Sequence, residues 1–190
     1  MTWQNIPGWT HTIDEFYPWL AKRLPKNGVF VEVGVFLGRS LAMMGELRPD
    51  LDLYAIDPWK DGESQGYTGP GEYTEYVEKR GGLFLAFLSS MQEHAPDVLR
   101  RTNVIRGTTA TVRPVKADAV FIDGAHDYDS VCNDIAWARD CRASIISGHD
   151  YNPEWKPEDG KDDGRSGVIT AVHEAFGKPN LMGTCWWVEK

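Results

Sequence analysis

The residues able to do chemistry lie at the ends of short apolar runs. Glu32, Asp57 and Asp123 each close such a run, and Asp150 lies just past another. Two of these acids have imidazole company, since His126 follows Asp123 by three positions and His149 directly precedes Asp150. Two carboxylates with nearby histidines can hold a divalent ion. Oxygen donors and water favour magnesium, and an imidazole ligand favours manganese, iron or zinc. Asp123, His149 and Asp150 are the candidate metal ligands. A histidine near neutrality also accepts protons, so His126, beside Asp123, is the candidate general base. On an extended chain His149 points to the side opposite Asp150. A carboxylate at a strand end can instead cap a helix or accept from a loop. His11, His94 and His173 lack such company and are read as structural.

The stretch Glu32-Val33-Gly34-Val35-Phe36-Leu37-Gly38-Arg39-Ser40 follows the first apolar run. Gly34 allows a tight turn, Gly38 a close backbone approach and Ser40 a helix cap. A phosphate-binding turn needs G-x-G-x-x-G, but Phe36 stands at the second glycine and Glu32 brings negative charge. A cofactor without phosphate fits better. Glu32 suits a cationic group such as an amino-acid ammonium, and Asp57 is placed to accept both hydroxyls of a ribose.

The elements that position these groups are predicted from the runs at 29–33, 53–57, 103–106, 119–123 and 144–147. They are apolar without clean alternation and are separated by helix-length stretches. That pattern predicts an α/β fold, a doubly wound, mostly parallel sheet buried on both faces, with ligands beyond the carboxyl ends of the strands. Ahead of it, Thr12 and Glu15 have capping-box spacing, and Ile13, Phe16, Tyr17, Leu20 and Leu24 predict an amphipathic helix ending at Pro25. The expected organisation is one domain over residues 1–190, with an N-terminal helical cap (1–27) and a core (28–190). Asp134 and Trp137 are expected on the helix behind the site. Residues 59–82 and 152–167 read as binding loops, with Trp59, Tyr67, Tyr73 and Tyr76 as a stacking face for a sugar or aromatic acceptor.

Composition narrows the partners. The 20 basic and 28 acidic residues leave a net charge of −8, which repels a phosphate backbone and an anionic membrane surface. No nucleic-acid or membrane partner is expected. Without a spanning segment or a leader pattern, a cytoplasmic location is expected. Three cysteines without CxxC spacing predict reduced core thiols. A homo-oligomer is left open.

The order E-V-G-x-x-x-G-x-S, Y-A-I-D-P-W, F-I-D-G-A-H-D-Y and G-H-D-Y, followed by G-V-x-x-A-V, resembles the class I S-adenosylmethionine-dependent methyltransferases. Within them it is most similar to the small-molecule O-methyltransferases related to macrocin-type sugar methyltransferases. The resemblance implies a Rossmann-like methyltransferase fold and S-adenosylmethionine as cofactor. It implies that Glu32, Gly34 and Gly38, with Phe36 and Ser40 in the same loop, line the methionine side. Asp57 would hold the ribose, and Gly107-Thr108-Thr109 would lie near the adenine. It also implies that Asp123 and Asp150 hold a magnesium or manganese ion that orients a small-molecule hydroxyl acceptor, with Asp123 facing the cofactor as well. The expected activity is metal-assisted O-methyl transfer. The alternatives are a non-catalytic S-adenosylmethionine-binding protein and a metal-dependent hydroxylase-like enzyme.

Overall fold

A computed structural model describes residues 2–60, 73–154 and 165–190. Five parallel strands form as expected: β1 (Val29–Val33), β2 (Asp52–Asp57), β3 (Thr102–Arg106), β4 (Ala119–Ile122) and β5 (Ile145–Gly148). Two further strands, β6 (Asn180–Met182) and β7 (Cys185–Glu189), complete a seven-stranded sheet in the order β3-β2-β1-β4-β5-β7-β6. β7 runs antiparallel to β5, and β6 antiparallel to β7. The sheet is an α/β, doubly wound, mostly parallel one.

The helices are α1 (Ile13–Ala21), α2 (Arg39–Leu47), α3 (Thr74–Lys79), α4 (Leu83–His94), α5 (Pro96–Arg100), α6 (Tyr128–Asp140) and α7 (Arg165–Phe176). On one face of the sheet Phe16, Tyr17, Leu41 and Phe87 pack against Phe30, Leu53 and Phe121. On the other, Val131, Ile135 and Val172 pack against Val31, Val120 and Ile146. Covering both faces explains the continuous apolar strands, of which β4 is buried throughout. Cys141 and Cys185 are buried free thiols. Among the described residues, no helix is long and apolar enough to cross a membrane.

The N-terminal segment departs from its expected form. α1 ends at Ala21, ahead of Pro25, and Thr12 forms no capping box. Its φ of 62° is left-handed, and its hydroxyl lies 2.9 Å from the Thr184 hydroxyl and does not bond the helix. α2 has Gly38 at its cap, so Ser40 sits one residue into the helix and caps nothing. Part of residues 59–82 is helical, as α3. Tyr67 and most of the second expected loop lie outside the described residues.

Candidate active site

Parallel registry brings the expected acids to one edge. Val33 pairs with Ile122, and Ile122 with Gly148, so Asp123 and the His149-Asp150 pair emerge from adjacent strand ends. Backbone bonds fix the junction: Asp123 N–H donates to the Val33 carbonyl at 2.8 Å and His149 N–H to the Ile122 carbonyl at 3.0 Å. Asp127 then caps α6 by accepting from Ser130 N–H at 3.0 Å, which sets the short loop carrying His126.

These side chains converge. His126 Nε2 lies 3.0 Å from Asp150 Oδ2. His149 Nδ1 lies 3.2 Å from the same oxygen and 3.6 Å from Asp123 Oδ1. The expectation that His149 and Asp150 diverge is therefore corrected. Asp150 has a left-handed backbone, φ 59°, so the chain is not extended and both side chains face the same way. Asp123, His126 and Asp150 each offer a ligand atom within 4.8 Å of the others, an oxygen-nitrogen-oxygen set that suits a divalent ion. His126, expected only as a base, thus joins the group able to hold a metal, and His149 abuts both carboxylates.

Electrostatics follow from burial and pairing. Burial raises Asp123 to about 6, the neighbouring histidines working against it. Burial opposes the charge on Asp150 too, but hydrogen bonds from His126 and His149 hold its carboxyl well below the usual range. For His149, burial disfavours the cation, yet Asp150 and Asp123 outweigh it and raise the ring to about 9.

The cluster forms one wall of a cavity of about 460 Å³, of the size that cofactor sites occupy. Gly34, Val35, Phe36, Leu37, Arg39 and Ser40 form a second wall, and Pro7, Gly8, Trp9 and His11 a third. Gly34 has φ 84°, and a Cβ there would lie 2.2 Å from the Asp123 carbonyl oxygen. The turn and the catalytic strand end touch, which only glycine permits.

Three residues expected to contact the cofactor do not line this cavity. Glu32 is fully buried behind the loop and absent from the cavity wall, accepting from Ser40 at 2.6 Å and Tyr17 at 2.9 Å. Burial raises its carboxyl to about 8. Asp57 accepts from the backbone N–H groups of Val35, Phe36 and Trp59 at 2.8, 2.9 and 2.6 Å, so the oxygens expected to hold a ribose also hold the loop. Thr108 is exposed and off the cavity, and its neighbour Thr109 donates to Asp134 on α6 at 2.5 Å. Trp137, also on α6, donates to the Val112 carbonyl, as befits a helix behind the site.

The expected stacking face is also rearranged. Trp59 is buried against Phe84 and Phe87. Tyr73 instead meets Phe36 and Trp9, with Trp9 stacked on Phe36 at 5.6 Å. Trp9, His11, Arg39 and Thr184 were missed as cavity residues. Arg39 donates to the Ile6 and Gly8 carbonyls and so ties the N-terminal segment to the cavity. Nothing local in the sequence marks these contacts, because their partners lie about thirty to more than a hundred positions away.

Residues 31–151 match the family model described as a methyltransferase domain. The chain belongs to this methyltransferase family. Solved structures share the fold of the methyltransferase. A candidate caffeoyl-CoA O-methyltransferase from Staphylococcus aureus aligns with TM-score 0.63 and 9% identity, over 98% of this chain and 87% of its own. A candidate O-methyltransferase from Klebsiella pneumoniae aligns with TM-score 0.60 and 16% identity, over 97% and 84%. A candidate rRNA methylase from Clostridium thermocellum aligns with TM-score 0.63 and 10% identity, over 94% and 97%. Comparison with curated protein sequences gives no match. The family match makes the protein a methyltransferase, and the solved structures show that it has the Rossmann-like fold of methyltransferases. Since its structural neighbours include proteins named for different acceptors, the fold alone does not select one.

Proposed function

We propose that this methyltransferase moves a methyl group from S-adenosylmethionine to a hydroxyl of a small molecule with the help of a divalent ion. The observation that carries the reading is the Asp123, His126 and Asp150 cluster on the wall of the cavity that the Gly34 to Ser40 loop also lines. Carboxylates on that wall suit a cationic sulfonium cofactor as well as a metal. The motif order resembling macrocin-type enzymes supports a hydroxyl acceptor, and the net charge of −8 supports a small molecule over a nucleic acid.

When bound, the cofactor supplies an electrophilic methyl group and the ion lowers the pKa of the acceptor hydroxyl. Asp123 and Asp150 are the residues that would hold the ion. His126 is the residue that would take the hydroxyl proton, and Asp150, 3.0 Å from its Nε2, stabilises the ring that then carries it. The loop of Gly34 and the Pro7 to Trp9 segment line the cavity around the reacting groups.

The test is methyl transfer in chelator, with magnesium or manganese added back. Turnover is expected to vanish and return, with Asp150→Asn responding to neither ion. In single turnover across a metal titration, His126→Ala is expected to slow transfer by about 10² to 10⁴-fold at every ion concentration. Full activity in excess chelator overturns the metal's part, and an unaltered His126→Ala step overturns the base.

A further inference from the structure

His149 faces Asp123 and Asp150 with Nδ1, and its other nitrogen is held by segments outside the family match. Nε2 lies 2.9 Å from the His11 carbonyl oxygen, 2.8 Å from Thr184 Oγ1 and 3.4 Å from Thr12 Oγ1. A carbonyl oxygen only accepts, so Nε2 carries a proton that points away from the acids. Thr184 Oγ1 shares that proton. Its own hydrogen is then free to run to Thr12 Oγ1 at 2.9 Å, and that of Thr12 to the buried Cys185 Sγ at 3.5 Å.

The surrounding backbone is built for this chain of hydroxyls. Thr12 is a β-branched residue in the left-handed region, an outlier that persists only where the neighbourhood enforces it. Gly183 makes room for its side chain, for a Cβ there would lie 2.4 Å from Thr12 Cγ2. β7 delivers Thr184, because Gly148 pairs with Trp186 and Tyr151 N–H donates to the Thr184 carbonyl at 3.1 Å.

We propose that Thr184 and Thr12 are positioning residues, which together with the His11 carbonyl hold the Nε2–H of His149 and so fix the ring with Nδ1 between Asp123 and Asp150. The N-terminal segment thereby completes the active site. The clamp stands on geometry alone, and only its effect on the ion rests on the metal reading above.

The experiment compares Thr184→Val, which removes the hydroxyl at similar volume, with Thr184→Ser, which keeps it. The first readout is nitrogen-15 NMR of the His149 ring in the full chain, without metal. Wild type and Thr184→Ser are expected to show a slowly exchanging Nε2 proton, and Thr184→Val an exchange of that proton about tenfold faster. Should Thr184→Val fail to fold, Thr12→Gly serves, since glycine suits the left-handed backbone while losing the hydroxyl, and the same faster exchange is expected. The second readout is calorimetry with manganese, where Thr184→Val is expected to bind about tenfold more weakly and Thr184→Ser within twofold of wild type. Wild-type exchange in the hydroxyl-less variant overturns the clamp. A wild-type protein that takes up no manganese overturns the metal reading and leaves the exchange measurement to decide the clamp.

Discussion

Replacing Asp57 separates a loop-holding acid from a ribose-holding one, because only the first matters before any cofactor binds. Its two oxygens accept three backbone N–H groups, from Val35 and Phe36 in one turn and from Trp59 in another. Phe36 and Trp59 both have left-handed backbones, at φ 51° and 40°, which these bonds hold in place. In Asp57→Ala three N–H donors lose their acceptor, at about 1–3 kcal/mol for each that stays unpaired. Water entering the vacated space pairs some of them. Burial also raises the Asp57 pKa, so removing the charge returns part of the loss. The net expectation is a loss of about 3 kcal/mol, a large share of the 5–15 kcal/mol typical of a domain. Urea unfolding of the cofactor-free protein at pH 7, followed by tryptophan fluorescence, measures it. Stability within about 1 kcal/mol of wild type, together with tenfold weaker binding of S-adenosylhomocysteine, would refute the reasoning and restore the ribose role.

Two glycines in the same loop should respond unequally to alanine. Gly34→Ala drives a Cβ into the Asp123 and Gly124 backbone, whereas Gly38→Ala meets the pliable Met91 side chain, with Sδ at 2.5 Å. Both bear a positive φ, so about 1–2 kcal/mol of strain is shared, and Gly34→Ala is expected to lose about 2 kcal/mol more in urea unfolding. Equal losses would show that the close approach to Asp123 is not rigid. Asp134 should shape the pH dependence, because burial raises its carboxyl from 3.8 to about 6 against the Thr109 hydrogen bond. Below the unfolded pKa both states are protonated. As pH rises from about 4 to 6 the unfolded chain ionises first, so this group takes away up to about 3 kcal/mol of stability, constant above that. Asp134→Asn should remove that decline, and parallel stability curves for the two proteins across this window would contradict it.

The fold was legible because its signals are local. Apolar runs such as Val29–Val33 and Ala119–Ile122 declare strands covered on both faces, and their alternation with helical stretches declares the parallel sheet. β6 and β7 escaped because Cys185–Glu189 carries two tryptophans and an acid after a turn, with no helix-length crossover to mark a further parallel strand. Capping failed as a signal at Thr12 for a related reason. The spacing to Glu15 was right, but Thr184 and Gly183 arrive from the far end of the chain and claim the side chain and its backbone.

The strand-end acids show most clearly where local reading stops. Glu32, Asp57, Asp123 and Asp150 look alike in sequence, and each was given a ligand. What separates them is which donors other segments bring. Tyr17 and Ser40 consume Glu32 from α1 and α2, and the loop's own N–H groups consume Asp57. Among the described residues, Asp123 and Asp150 are met by the side chains of His126, His149 and Arg165 at the cavity wall. Of four similar signals, the two at the cavity wall are the ones that face open space. Two acids hold the 34–40 loop in shape, and the other two face the cavity that it lines.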